Sequence, residues 1–200
     1  MGFLDSILGR SRPKQADLDA LFNVPSAAIT LQTTLGLVPT GDGAVCYRAA
    51  AGPAFADTQT DVVELLRATS GAPTIDVTTD EFGFTWLEVD HPPHDPATSD
   101  LGELCTDLHA VNTGLEAAGF GPALLCSLVP FADSSGRRLG LVYLYKQGTF
   151  YPFAPKPGQG AGGRERDTLL EIQVRDLLVP ELPIEQDPSR WLAIWGAPAL

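Results

Sequence analysis

The stretch from Asp100 to Phe131 constrains this chain most, because it joins the most periodic helix in the sequence to its most apolar strand. Leu101, Leu104, Cys105, Leu108, Val111, Asn112 and Leu115 recur at spacings of three and four, which places one continuous stripe on a single helical face. A stripe of that length must be buried. Thr98, Ser99 and Asp100 supply capping oxygens before it, and Glu103 suits the positive end of the helix dipole. Gly119 and Pro122 predict its end, glycine by taking the left-handed backbone and proline by refusing to continue the helix. Ala123 to Phe131 then reads as a nearly continuous apolar run, a strand covered on most of its surface.

Around this pair the chain alternates between helical and strand spacing. Asp17 to Phe22 and Ser26 to Leu35 predict one kinked or two short helices ending at Gly36, and Gly43 to Ala50 a strand. Phe55 to Thr69 predicts a helix burying Val62, Leu65, Leu66 and Thr69. Thr74 to Thr78 and Phe82 to Asp90 alternate as a hairpin, and His91 to Pro96, with three prolines, must be a loop. Leu139 to Lys146 alternates as a return strand, with Leu141, Tyr143 and Tyr145 on one face and Val142 and Leu144 on the other, so both faces are apolar. Thr149 to Phe153 extends the sheet at an edge because of Pro152. Arg164 to Val179 predicts a helix burying Leu170, Val174 and Leu177, with Leu169, Ile172 and Leu178 widening its face. Trp191, Ile194 and Trp195 keep helical spacing in a tail that would bury a large area on the body.

The order of elements predicts a single α+β domain with a mostly antiparallel or mixed sheet of about five strands and helices packed on it. The expected organisation is an amphipathic segment and linker over residues 1–14, then one domain over 15–200 with a flexible loop at 155–163. Two hundred residues with 44% hydrophobic content can bury about 70% of the unfolded surface in one core. No apolar run approaches the roughly 20 residues that span a bilayer, so a cytoplasmic location is expected, with an option of peripheral contact at the inner face of the membrane. Cys46, Cys105 and Cys126 are odd in number and sit in apolar runs, as reduced core thiols do.

A net charge of −12 argues against nucleic acid as a partner, since phosphate binding needs a basic surface. Charge is uneven, however. In residues 1–14, Arg10, Arg12 and Lys14 stand against Asp5 alone, and Phe3, Leu4, Ile7 and Leu8 fall on one side of a short helix just before them. These seven residues, Phe3, Leu4, Ile7, Leu8, Arg10, Arg12 and Lys14, are candidates for contact with a membrane surface or a partner groove, and docking on the chain's own domain is the competing reading.

Catalytic and metal constellations are thin. His91, His94 and Asp95 in the proline-rich loop, with Cys105 and His109 one turn apart on the central helix, are acceptable metal ligands, yet Cys105 belongs to the apolar stripe and no second closely spaced pair exists. Neither a metal nor a cofactor is expected. No Gly-x-Ser-x-Gly elbow is present, and the glycines from Gly158 to Gly163 match neither a P-loop nor a dinucleotide fingerprint. Asp76, Asp80, Glu81, Glu88 and Asp90 on the first hairpin read as a solvated strand face rather than an acid–base pair.

Several segments carry a family resemblance: MGFLDSILGR, LDALFNVPSAAITLQTTLGL, GAVCYRAAAGPAFADTQTDVVELL, DEFGFTWLEVDH, TDLHAVNTGLEAAGFGPALLCSLVPFAD, GLVYLYKQGTFYPFAP and RWLAIWGAPAL. Together they resemble the PspA-associated protein PspAB family of actinobacteria, in order and over nearly the whole chain. The resemblance implies an accessory role in a phage-shock type envelope-stress response alongside PspA, and the reading it supports is a non-enzymatic cytosolic accessory or adaptor protein that binds a protein partner, PspA or another component of that response; self-association into a homodimer is a separate option. It supplies no active site. The element order is also similar to small α+β chaperones of the YbjN and type III secretion class, a likeness of fold alone. The alternative is a small-molecule-binding domain or hydrolase with a pocket between the sheet and the helix Phe55 to Thr69.

Overall fold

All seven residues of the central stripe are buried along one helix, α3 (Leu101–Ala117), and Leu108, Cys105 and Leu115 are wholly removed from solvent. The computed structural model describes residues 17–49, 53–68, 73–90, 101–156, 164–198 and 200. Within them lie three further helices, α1 (Val24–Leu35), α2 (Pro53–Arg67) and α4 (Thr168–Leu178). Seven strands make one sheet: β1 (Val38–Pro39), β2 (Gly43–Tyr47), β3 (Thr74–Thr79), β4 (Thr85–Asp90), β5 (Leu124–Ala132), β6 (Arg138–Leu144) and β7 (Thr149–Phe153). The fold is α+β, with more strands than the five expected, because the two-residue β1 and the edge strand β7 both pair with the body.

Sheet order is β3-β4-β2-β5-β6-β7, with β1 beside β5, and every pairing between these strands is antiparallel. β7 is an edge strand, the position that Pro152 requires. β2 stands between β4 and β5 although the hairpin and α3 intervene in sequence. Its short side chains permit that central place: a Cβ on Gly43 would lie 3.0 Å from Leu104 Cδ1 and 3.2 Å from Leu108 Cδ1, so α3 rests directly on the β2 backbone.

Helix ends follow the local chemistry. Gly36 closes α1 at φ 71° and Gly119 follows α3 at φ 90°, where Phe120 N donates back to Leu115 O. Pro25 lies in the first turn of α1, which needs no amide donor, and the chain before it is a 3-10 helix from Leu18 to Asn23. Asp167 caps α4 by accepting from Leu170 N.

The four helices bury their apolar faces on one side of the sheet, against Val45, Tyr47, Leu87, Val129, Leu141 and Tyr143. The opposite side carries a second core built from Ala44, Cys46, Trp86, Cys126, Leu128, Val142, Leu144, Tyr151 and Phe153. The division of β6 is the one its alternation predicts. Two helix readings need correction. In α2, Leu65 is 72% exposed and Val63 is buried beside Val62. In α4, Leu170, Val174 and Leu178 are buried, whereas Leu169 and Ile172 face solvent. Both helices pack through a narrower stripe, since each covers the sheet near a border.

The tail is not helical beyond a short turn at Pro188–Arg190. After α4 the chain runs along the outer edge of β7, where Phe150 N donates to Pro183 O and Glu185 N to Phe150 O, and this backbone pairing shields the sheet edge. It then crosses to the second face. Trp191 is buried there, stacked near Tyr151 at 6.4 Å, and Trp195 meets Phe153 edge-on at 4.9 Å.

Candidate functional site

The second sheet face is only partly filled, and a cavity of about 710 Å³ remains beneath the tail. Strand alternation determines what it meets. Cys46, Trp86, Leu144 and Tyr151 point to this side because their neighbours Val45, Leu87, Tyr143 and Phe150 point to the helices. A bulge in β5 adds to the opening: Cys46 pairs with Cys126 while Tyr47 pairs with Leu124, leaving Leu125 as the extra residue at the cavity wall. Phe82 and Phe84 from the β3–β4 turn and Leu192, Ile194 and Trp195 from the tail complete the walls.

The β3–β4 turn is fixed by Asp80. Its Oδ1 accepts from the amides of Phe82 and Phe84 at 2.9 Å, and its Oδ2 accepts from Trp86 Nε1 at 3.0 Å. Asp80 is therefore a structural anchor for the indole rather than part of a solvated carboxylate face. The tail is held by Arg166, whose Nη1 donates to Trp191 O at 2.7 Å and whose Nε donates to the buried Glu171 Oε1 at 2.7 Å. Glu171 Oε1 also accepts from Ala154 N, and Arg166 lies over the Phe153 ring at 5.1 Å. Tyr151 Oη donates to Leu192 O, a second tie between sheet and tail.

Burial governs the electrostatics of the cavity lining. The Cys46 thiol is pushed far up by its hydrogen bond with Cys126 and by burial, so it stays protonated and is a poor nucleophile. Burial also raises Tyr151. Arg48, Lys146 and Arg190 line the cavity. The three buried cysteines form no disulfide, as their apolar settings predict.

The candidate residues from the sequence are distributed as follows. Phe3, Leu4, Ile7, Leu8, Arg10, Arg12 and Lys14 lie outside the described residues, as do His91, His94 and the loop at 157–163. His109 sits on α3 with Nε2 3.6 Å from Asp19 Oδ1 and its ring 5.2 Å from that of Phe22, against the first 3-10 helix. Among the described residues no group of three or more His, Cys, Asp or Glu is placed to hold a metal ion. No helix among them is long and apolar enough to cross a membrane. The sequence places a pocket between the sheet and α2, whereas this cavity lies on the opposite face, where α2 does not reach. Its lining escaped sequence reading, although one signal was present: the apolar Val142 and Leu144 on the second face of β6 required a cover of some kind.

No curated protein and no solved structure matches the chain. It does match, over residues 1–199, the family described as PspAB, PspA associated protein B, and the chain belongs to that family.

Proposed function

We propose that this chain is a non-enzymatic accessory protein of a PspA-type envelope-stress response, acting in the cytoplasm by binding a protein partner, with PspA the first candidate. The observation that carries the reading is the family match across residues 1–199, which includes the amino-terminal segment as well as the α+β body. The site chemistry supports it: the cavity is walled mostly by apolar side chains, its Cys46 thiol is held protonated, and Asp80 is committed to the fold.

Within this reading residues 1–14 are an appendage to a folded body of 15–200 and make the contact with partner or membrane. Burial of Phe3, Leu4, Ile7 and Leu8 contributes at most about 1.5 to 3 kcal/mol each, and each basic residue adds about 1 kcal/mol near an anionic surface. The acidic body opposes the second of these terms. Together they suit reversible association and not stable anchoring.

The test is co-sedimentation of the purified full chain with PspA, alone and on anionic vesicles, beside a form lacking residues 1–12. The expected result is that the truncation leaves the melting temperature almost unchanged and abolishes binding. A truncation that lowers stability by several degrees and leaves binding intact assigns the segment to the fold. Absence of any PspA binding by the full chain overturns the reading itself.

A further inference from the structure

The cavity beneath the tail combines an apolar body with a cationic end, and association with a protein partner makes no use of it. Its floor is uncharged: Cys46, Cys126, Trp86 and Leu144. Its cations stand together for a topological reason. Arg48 follows β2 and Lys146 follows β6, and both strands run antiparallel to β5, so the two side chains reach the rim where β5 begins. Arg48 N donates to Ala123 O, and Lys146 Nζ to Pro122 O at 2.8 Å. With β5 between them their backbones lie about 10 Å apart, two strand spacings, which long basic side chains can close around one anionic group.

The charge at this end is only partly neutralised: the lining holds Arg48, Lys146 and Arg190 against Asp80. Arg48 lies over the Phe84 ring at 5.4 Å and has no carboxylate partner among the described residues. Asp80, the one acid among the described residues of the lining, has both oxygens engaged by Phe82, Phe84 and Trp86. Arg190 adds a third cation, shared with Glu185 and Asp187. Three of the chain's 13 basic residues thus line one cavity on a chain of net charge −12, a local sign opposite to the global one.

We propose that this cavity binds a single-chain amphipathic organic anion, its apolar chain lying over Cys46, Cys126, Trp86 and Leu144 and its carboxylate or phosphate held between Arg48 and Lys146. The volume of about 710 Å³ falls within the range of about 300 to 1,000 Å³ usual for small-molecule sites. The proposal is independent of PspA, since it requires no residue of the amino-terminal segment.

Trp86 and Trp195 line the cavity and report on its occupancy. Titrating the full chain with dodecanoate and with dodecyl phosphate, each below its micelle concentration, should shift tryptophan emission saturably. Dodecanol should bind at least about tenfold more weakly, the value of one charge-assisted contact, and dodecyltrimethylammonium more weakly still. The variant carrying both Arg48→Gln and Lys146→Gln should bind dodecanoate no better than dodecanol while dodecanol binding stays unchanged; both side chains are exposed, so the fold is retained. Lys156→Gln, which alters an exposed pair with Glu165 away from the cavity, should change nothing. Equal affinity for the three head groups, or an unaltered preference in the double variant, overturns the proposal. Binding that emerges only when Ile7→Asp is introduced in the full chain also overturns it, by identifying the chain's own amino-terminal segment as the occupant.

Discussion

Asn112 of α3 donates from Nδ2 to Ser127 Oγ of β5 at 2.8 Å, and both side chains are completely buried. The same amide nitrogen donates to Leu108 O one turn earlier at 2.7 Å. A polar residue inside an apolar stripe thereby joins the central helix to the central strand at one register. Its Oδ1 has no partner among the described residues, and that desolvation offsets part of the gain. Asn112→Ala should cost about 1 to 3 kcal/mol because it leaves the Ser127 hydroxyl unpaired. In a cycle with Ser127→Ala, urea unfolding should return a coupling of about 0.5 to 3 kcal/mol. Strict additivity would show that the contact does not hold helix to strand.

Leu108 lies mid-stripe, fully buried, against the bare backbone of Gly43. Leu108→Ala should therefore cost about 2 to 5 kcal/mol, since the sheet cannot move into the space that opens. A loss below about 0.5 kcal/mol, the scale of surface changes, would place α3 away from the core.

What was legible from sequence, and what was not, follows from the range of the interactions. The α3 stripe, the Gly36 and Gly119 stops and the two faces of β6 were readable because period and capping are local properties of neighbouring residues. The insertion of β2 between β4 and β5 is a long-range pairing with no local signal. The tail misled for a related reason: Trp191, Ile194 and Trp195 have helical spacing, but hydrogen bonds from Arg166 and Tyr151 to carbonyls of the tail hold it in a non-helical course over the second face. The cavity was invisible in turn, because its walls come from β2, the β3–β4 turn, the β5 bulge, β6 and that tail. Leu65, Leu169 and Ile172 keep the spacing of their helices yet lie outside the core, because helical spacing gives the direction of a face and not its width.

Arg166 is the residue through which α4, β7 and the tail are tied together. Arg166→Met keeps much of the aliphatic packing on Phe153 but strands Glu171 as a buried carboxylate with one backbone donor, from Ala154. Removing one partner of a buried pair costs about 3 to 5 kcal/mol, and the partial exposure of Arg166 places this case near the lower limit. The tail should loosen before the helical face does. Tryptophan emission should move to longer wavelength as Trp191 and Trp195 gain water, with far-ultraviolet circular dichroism unchanged. Loss of helix signal in step with the fluorescence would show that the two cores unfold as one.

Alkaline pH should destabilise the chain through its tyrosines. All four, Tyr47, Tyr143, Tyr145 and Tyr151, are buried, and burial is the first cause that raises each. Nearby negative charge adds to it, from Glu116 at Tyr145 and from Asp17 at Tyr143. Tyr145 is pushed up to about 12 and the other three are raised as well. Below about pH 10, the value for an unfolded tyrosine, folded and unfolded states are both neutral at these positions and stability owes nothing to pH through them. Above it the unfolded chain loses its phenolic protons first, so it binds fewer than the folded chain and stability falls as pH rises toward 12. Urea midpoints measured in that window should drop progressively. Tyrosinate absorbance should remain low while the chain is folded, then rise for all four side chains together with the loss of tertiary structure. A gradual tyrosinate signal near pH 10 in the folded protein would mean that these hydroxyls are open to water and that both sheet faces are more loosely covered than the packing of Tyr143 and Tyr151 requires.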